Sequence, residues 1–205
     1  SAVVTLASTA TVNGQTVVWG DGTFGEAGCK TPTLNVYGTI TNTDDSAIST
    51  NGTDRSGAII NIYNGATVTS TNDIAVYLPS GNLRVSGGSI TGATAVYAKS
   101  GSVTVTGGTL TGNGTAAAFQ HDGNGAYATG DALVIESCGY PNGAPTASIT
   151  GGTFVGPRLK GTILNGGADY QLVSTDGRRT ELEAIYSIQT HDGTYIHVRN
   201  KGIIS

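Results

Sequence analysis

Apolar and small polar residues alternate along most of this chain, and the alternation comes in copies. Asn82-Leu83-Arg84-Val85-Ser86-Gly87-Gly88-Ser89-Ile90-Thr91-Gly92 is followed by Ser102-Val103-Thr104-Val105-Thr106-Gly107-Gly108-Thr109-Leu110-Thr111-Gly112, and the phrase returns as Ala147-Ser148-Ile149-Thr150-Gly151-Gly152-Thr153-Phe154. Looser copies run from Leu34 to Ile40 and from Ile60 to Val68. A period of two predicts strands, and the Gly-Gly and Asn-Gly pairs predict turns between them. Self-similarity at about 20 residues marks a repeat architecture, in which each unit buries its neighbour's apolar edge.

Each copy predicts three short strands. The first centres on Leu34/Val36, Ile60/Ile62, Leu83/Val85, Val103/Val105 and Ala147/Ile149, and the second on Ile40, Val68, Ile90, Leu110 and Phe154. The third is Ala-rich: Ala47-Ile48, Ala75-Val76-Tyr77, Ala95-Val96-Tyr97 and Ala116-Ala117-Ala118-Phe119. This pattern predicts an all-β fold: a right-handed parallel β-helix, or β-solenoid, over residues 1–156, its coils beginning near residue 10. The step from Val103 to Ala147 is about twice the others and predicts a corner insertion from His121 to Thr129 and from Cys138 to Pro145. Ala132-Leu133-Val134-Ile135 is expected to return as a strand beside the Ala116 segment.

After Gly156 the pattern changes. Residues 157–205 hold nearly half of the charged residues, and the Gly-Gly-Thr phrase stops. Glu181–Ile188 and Thr194–Arg199 alternate on either side of His191-Asp192-Gly193, and Asp-Gly between alternating runs predicts a hairpin. The tail is therefore expected to be an antiparallel β segment. One hairpin cannot bury Tyr186, Ile188, Tyr195, Ile196 and Val198 by itself. Two solutions are open: docking on the last coil near Phe154, or completion of the sheet by a second copy. The second, a homo-oligomer through the tail, ranks first.

Composition narrows the partners. Glycine is 32 of 205 residues without a Gly-X-Y period, which excludes collagen, and charged residues are only 12%. The net charge is −4 with no run of Lys or Arg, so no footprint for nucleic acid is expected. The apolar runs are too short for a membrane-spanning helix. The first residues lack the basic start of a signal peptide, as expected of a chain that begins after a cleavage site and carries no anchor of its own. Cys29 and Cys138 define neither a disulfide framework nor a metal site; two unpaired thiols rank ahead of one long-range disulfide.

Residues 8–155, through Pro32-Thr33-Leu34-Asn35-Val36-Tyr37-Gly38, the Gly-Gly-Ser/Thr-Ile/Leu-Thr-Gly repeats and Ala126–Glu136, resemble the Gly/Thr-rich β-helix regions of surface proteins of gut bacteria. That resemblance implies a secreted or cell-surface setting. The architecture also occurs in polysaccharide lyases and glycoside hydrolases. A second resemblance is carried by Gly151–Leu164, Gly166-Gly167-Ala168-Asp169-Tyr170 and Thr190–Gly202. Residues 150–202 are similar to part of a family of small antiparallel β-barrels of unknown function, which implies an incomplete barrel and singles out Arg158, Asp169, Tyr170, Asp192 and Tyr195. Ile149–Phe154 fits both patterns; a natural recombination and an artificial join would each leave such a seam.

Candidate chemistry is sparse. Glycoside hydrolysis needs two facing carboxylates, and Asp122, Asp131 and Glu136 lie in or beside the insertion. Asp44, Asp45 and Asp73 fall in turns that could project from nearby edges, and for all six acids turn chemistry ranks ahead of a site. Tyr77 and Tyr97 recur one coil apart and are expected to stack, as a sugar platform or as a supporting row. His121 and Asp122 join them as binding candidates at the insertion. No metal or other cofactor is expected: Gly123-Asn124-Gly125 is a poor fragment of a calcium-roll repeat, and His191 and His197 lack a third ligand. There is no nucleophile elbow and no phosphate loop. The Thr rows (Thr104, Thr106, Thr109 and Thr111 with Thr67, Thr69 and Thr71) are expected to change face between coils, which ranks a water-ordering surface last. The leading expectation is a non-catalytic extracellular module presenting a surface for glycan or host contact. Behind it stand a carbohydrate-active enzyme fragment, an unknown small-molecule function of the barrel-like tail, and a self-assembling structural protein.

Overall fold

The computed structural model describes residues 2–20, 31–54, 57–118, 125–157, 159–164, 168–173 and 180–204. Among them the protein is all-β, with no helix, and the strands form three sheets visited in turn. The first sheet holds Val3–Leu6, Thr33–Val36, Ile59–Ile62, Asn82–Val85, Ser102–Val105 and Thr146–Ile149, all parallel and in chain order. The second begins with Thr11–Asn13, Thr39–Asn42, Thr67–Ser70, Ser89–Gly92, Thr109–Gly112 and Thr153–Val155, also parallel. The third holds Thr16–Val17, Ile48–Ser49, Ile74–Leu78, Thr94–Ala98 and Leu133–Ile135.

The register stacks like on like. Leu34, Ile60, Leu83, Val103 and Ala147 are partners in one row, and Val36, Ile62, Val85, Val105 and Ile149 in the next. Ile40, Val68, Ile90, Leu110 and Phe154 form the corresponding row of the second sheet. Ile48, Val76, Val96 and Leu133 form that of the third. Side chains alternate across a strand, so the aligned aliphatic rows of the three sheets face inward, while the positions between them in the first two sheets, mostly Thr, Ser and Asn, face outward. The central members of these rows are essentially fully buried, each worth roughly 1.5–3 kcal/mol of apolar burial. Gly88, Gly108 and Gly152 hold the same corner in successive repeats with φ of 73°, 84° and 93°, which only glycine adopts without strain. At Gly101, with φ of 75°, a Cβ would collide with the Gly81 carbonyl one repeat below.

Two expectations are corrected. The repeats begin earlier than residue 10, because Val3–Leu6 already pairs with Thr33–Val36. Leu133–Ile135 does not pair with the Ala116 segment but lies directly on Thr94–Ala98, with Tyr97 opposite Val134. The Ala116 segment meets the returning chain through the Ala117 N–H to the Thr129 carbonyl at 3.1 Å; Phe119 lies outside the described residues. The insertion therefore displaces the third strand of its repeat by about 20 residues of sequence without leaving a gap in the sheet.

The tail docks on the last coil: Lys160–Ile163 pairs antiparallel with Thr153–Val155, placing Gly161 opposite Phe154. Thr180–Thr190 continues that sheet, flanked by Ala168–Val173 and, along nearly its whole length, by Tyr195–Ile204. The expected hairpin is present. Its turn is closed by Gly193 N–H to the Thr190 carbonyl at 2.9 Å, with Gly193 at φ of 86°. Asp192 Oδ1 accepts from Thr190 Oγ1 at 2.5 Å and from the Thr194 N–H at 3.1 Å.

Two predictions test this frame. Val105 is fully buried while Thr104 faces outward. Val105→Asp should therefore cost more than about 4 kcal/mol in urea unfolding and Thr104→Asp less than about 1; equal losses would show that the register is wrong. The second concerns pH. The Thr190 hydroxyl first, then the Thr194 N–H, lowers the Asp192 carboxyl to about 2. A lowered native pKa adds stability that is complete above the unfolded value, near 3.8, and is lost as pH falls through about 2. Asp192→Asn should lower the thermal midpoint at neutral pH, and the gap to the parent protein should close between about pH 4 and pH 2.

Candidate functional site

The outer face of the third sheet carries the residues singled out at the insertion. Tyr77, Tyr97 and Val134 form one outward row, as the register requires. Gly125–Tyr127 covers it: Ala126 packs on the cluster of Ile74, Tyr97 and Val134, and the Tyr127 ring meets Tyr97 edge-on at 6.5 Å. Tyr77 and Tyr97 also meet edge-on, at 6.5 Å and 75°. Tyr97 is fully buried and Tyr77 half-buried. The pair is thus a supporting row under the insertion and not a platform open to a sugar.

The same row continues into a buried ion pair. Lys99 Nζ lies 3.3 Å from Glu136 Oε2, both side chains being almost completely buried. Tyr97 Oη donates to the same Glu136 oxygen at 2.6 Å, and Lys99 also donates to the Gly125 carbonyl. Glu136 is accordingly committed to two internal donors. Asp131 accepts from Thr129 Oγ1 at 2.7 Å. Asp131 and Glu136 bracket one extended strand, Leu133–Ile135. Five residues of strand span about 16 Å and invert the face, so these two carboxylates do not form the facing pair that glycoside hydrolysis requires. His121 and Asp122 lie outside the described residues.

The remaining expectations are quickly placed. Arg158 lies outside the described residues, as does Cys29. Asp169 and Tyr170 belong to Ala168–Val173, opposite Ala184 and Glu183. Tyr195 is 67% exposed and accepts from Gln189 Nε2 at 3.0 Å. His191 and His197 are exposed on the hairpin, His197 Nδ1 lying 3.3 Å from Ser187 Oγ. Among the described residues no three metal-ligating side chains gather. Cys138 is a free, half-buried thiol. The Thr rows do not change face: Thr39, Thr67, Ser89, Thr109 and Thr153 make one outward row of the second sheet, and Thr41, Thr69, Thr91 and Thr111 the next. Thr104 belongs to the first sheet instead. An apolar cavity of about 220 Å³ lies at the seam with the tail, between Leu133, Phe154, Leu159 and Tyr186, with Asp131 at its edge.

A stacked aromatic pair lies on the first sheet. Tyr37 and Tyr63 follow Val36 and Ile62, so they occupy one position of successive repeats, and their rings stack with centroids 4.3 Å apart and planes within 3°. Tyr37 is exposed and Tyr63 half-buried. Desolvation, then the charge and hydrogen bond of the neighbouring Tyr63 phenol, raises the Tyr37 hydroxyl above its ordinary range, so it stays a neutral donor. Beside the rings runs an amide ladder: Asn61 Nδ2 donates to Asn35 Oδ1 at 2.9 Å, and Asn35 Nδ2 to Thr5 Oγ1 at 3.4 Å. Sequence reasoning passed over this pair, although the shared offset after Val36 and Ile62 was the signal. Stacked aromatic faces with planar amides and hydroxyls alongside can bind the apolar faces and equatorial hydroxyls of sugars.

Comparison with known proteins bears on the other end of the chain. The family described as a protein of unknown function, DUF3237, matches residues 129–205. The match thus starts inside the parallel region, before residue 150. A UPF0311 protein of Rhodopseudomonas palustris (strain TIE-1) is 40% identical over 55 residues, covering 27% of this chain and 35% of that protein. A UPF0311 protein of Clostridium acetobutylicum is 42% identical over 55 residues, covering 27% of this chain and 34% of that protein. The chain spans about a third of the length of these relatives. No solved structure matches it significantly.

The buried pair supplies the test of this subsection. Removing one partner of a buried ion pair costs about 3–5 kcal/mol, whereas replacing both by apolar groups is far less damaging. Lys99→Met and Glu136→Met should each destabilise the chain by that order. The double variant should lose less than the sum by well over 1 kcal/mol in chemical unfolding. Additive losses would mean that the two side chains act independently.

Proposed function

We propose that the repeats form a right-handed parallel β-helix that acts as an extracellular or cell-surface module, non-catalytic, whose exposed first-sheet face contacts glycans. The observation that carries this reading is the open Tyr37–Tyr63 stack beside the Asn35–Asn61 ladder. The winding of three parallel sheets in a fixed order supports the helical reading, and an extended lateral face is what such a repeat offers a long ligand. The low charge, the Gly- and Thr-rich surface and the resemblance to surface proteins of gut bacteria support the location. The rival reading, a carbohydrate-active enzyme fragment, is weakened because Glu136 is internal and Asp131 stands at the far end of the same strand. The tail keeps the unknown function of the family it is similar to. Self-association is also part of the proposal: among the described residues Tyr195–Ile204 pairs on one side only, with Thr180–Thr190, and such an edge is a template for a second chain.

Binding to an immobilised panel of plant, bacterial and mucin-type glycans tests the reading. At least one carbohydrate class should be retained. Tyr37→Ala and Tyr63→Ala should each weaken retention by about tenfold, about 1.4 kcal/mol, the upper end of what an aromatic stacking contact is worth, while leaving the melting curve nearly unchanged. A chain that retains no glycan, or whose binding ignores both tyrosines, would refute it.

A further inference from the structure

The aromatic row on the first sheet stops after two members. In the position that Tyr37 and Tyr63 occupy, the next repeats carry Ser86 and Thr106, each following the residue in register with Ile62. The Tyr63 N–H bonds the Val36 carbonyl, the Ser86 N–H the Ile62 carbonyl and the Thr106 N–H the Val85 carbonyl, so the row continues without a break in backbone spacing. One face of Tyr63 is taken by Tyr37, at 4.3 Å. The other looks onto a groove of about 310 Å³ whose floor and walls are Asn61, Arg84, Ser86, Thr104 and Thr106. Small hydroxyl residues at two consecutive positions leave room for a ring at the height where the next aromatic of the row would lie.

Arg84 defines what that ring carries. It is the only charged residue in the six strands of the first sheet. It is exposed, lies between Asn61 and Thr104 in register, and makes no hydrogen bond or ion pair among the described residues. A guanidinium is a planar fork that matches a carboxylate with two parallel hydrogen bonds. Set beside an aromatic face, it suits a ring bearing one planar anion. The net charge of −4 is no aid to long-range attraction of an anion, so recognition has to come from this local fork.

We propose that this groove is a subsite for a carboxylated pyranose, a hexuronate unit of an acidic polysaccharide. Its ring extends the Tyr37–Tyr63 stack on the free face of Tyr63. Its carboxylate is held by Arg84, and its hydroxyls reach Asn61, Ser86 and Thr106. This assignment rests on the glycan reading above and adds the ligand class.

Titration calorimetry of the full chain with three probes separates the two claims: an oligogalacturonate, a neutral galactose oligosaccharide of equal length, and the same neutral oligosaccharide carrying sulfate esters. The oligogalacturonate should bind best. Arg84→Gln should weaken it at least tenfold while changing neutral binding less than twofold. Arg84→Lys, which keeps the charge but not the fork, should recover only part of the loss. Tyr63→Ala should weaken all probes. If the neutral probe binds and Arg84→Gln leaves the oligogalacturonate unaffected, the uronate subsite is wrong and the glycan face stands. If the sulfated probe binds as well as the uronate and Arg84→Lys behaves as the parent, the site reads charge and not a carboxylate, which also overturns the proposal. Binding of none of the probes by the parent chain overturns the uronate assignment, and the wider glycan panel then decides whether the face has any sugar ligand. Arg84 is exposed, so unchanged circular dichroism of its variants is expected and guards against misfolding.

Discussion

The structure depends on in-register stacking of identical aliphatic positions. Leu34, Ile60, Leu83 and Val103, or Ile40, Val68, Ile90 and Leu110, each cover the residue below and are covered by the one above. A slip of one residue would turn a whole row outward and leave Thr or Asn in the core. That penalty, multiplied over three sheets, is what holds the outward rows in place as well. The tyrosine stack, the asparagine ladder and the threonine rows are surface features, yet their spacing is dictated from the inside.

The insertion illustrates how the same constraint tolerates a local exception. About 20 residues of chain follow the second-sheet strand Thr109–Gly112 before Leu133–Ile135 takes the next place of the third sheet, directly on Thr94–Ala98. The returning strand brings Glu136 next to Lys99 on the outer face, and Gly125–Tyr127 covers both. A charge pair taken out of water needs its remaining donors and acceptors satisfied. Here the Tyr97 hydroxyl and the Gly125 carbonyl do so. The cluster pins the insertion to the sheet, and the covering loop is what closes the Tyr77–Tyr97 row to solvent.

At the other end, the parallel stack is terminated by reversing direction. Lys160–Ile163 runs back along Thr153–Val155, so the last second-sheet strand has its hydrogen-bond partners within the chain. Phe154 takes the place of the aliphatic residue in its row and, with Leu159, Ile163 and Ile188, lines the seam cavity. The segment similar to a family of unknown function begins before this reversal, so the likeness includes the last parallel strands and not the antiparallel ones alone.

Period-two alternation and Gly-Gly corners made the strands of the first two sheets legible residue by residue, because a two-residue period allows one inward face and only glycine serves the left-handed corner. The Asp-Gly hairpin was legible for the same local reason. Amino-acid order alone determined that Glu136, Tyr97 and Tyr77 would lie near the insertion. It did not determine their exposure, because burial there depends on chain returning from about 25 residues away. Nor did it reveal the extra repeat at Val3–Leu6, whose weak alternation gains meaning only beside Thr33–Val36. That the tail would dock on the strand of Phe154 was likewise decided in three dimensions, since the alternating run that follows Gly156 does not by itself name its partner edge. The Tyr37–Tyr63 stack lies between these cases. Its two members stand at equal offsets in the sequence, but only the register of the sheet brings their rings face to face and leaves Arg84 beside the open one.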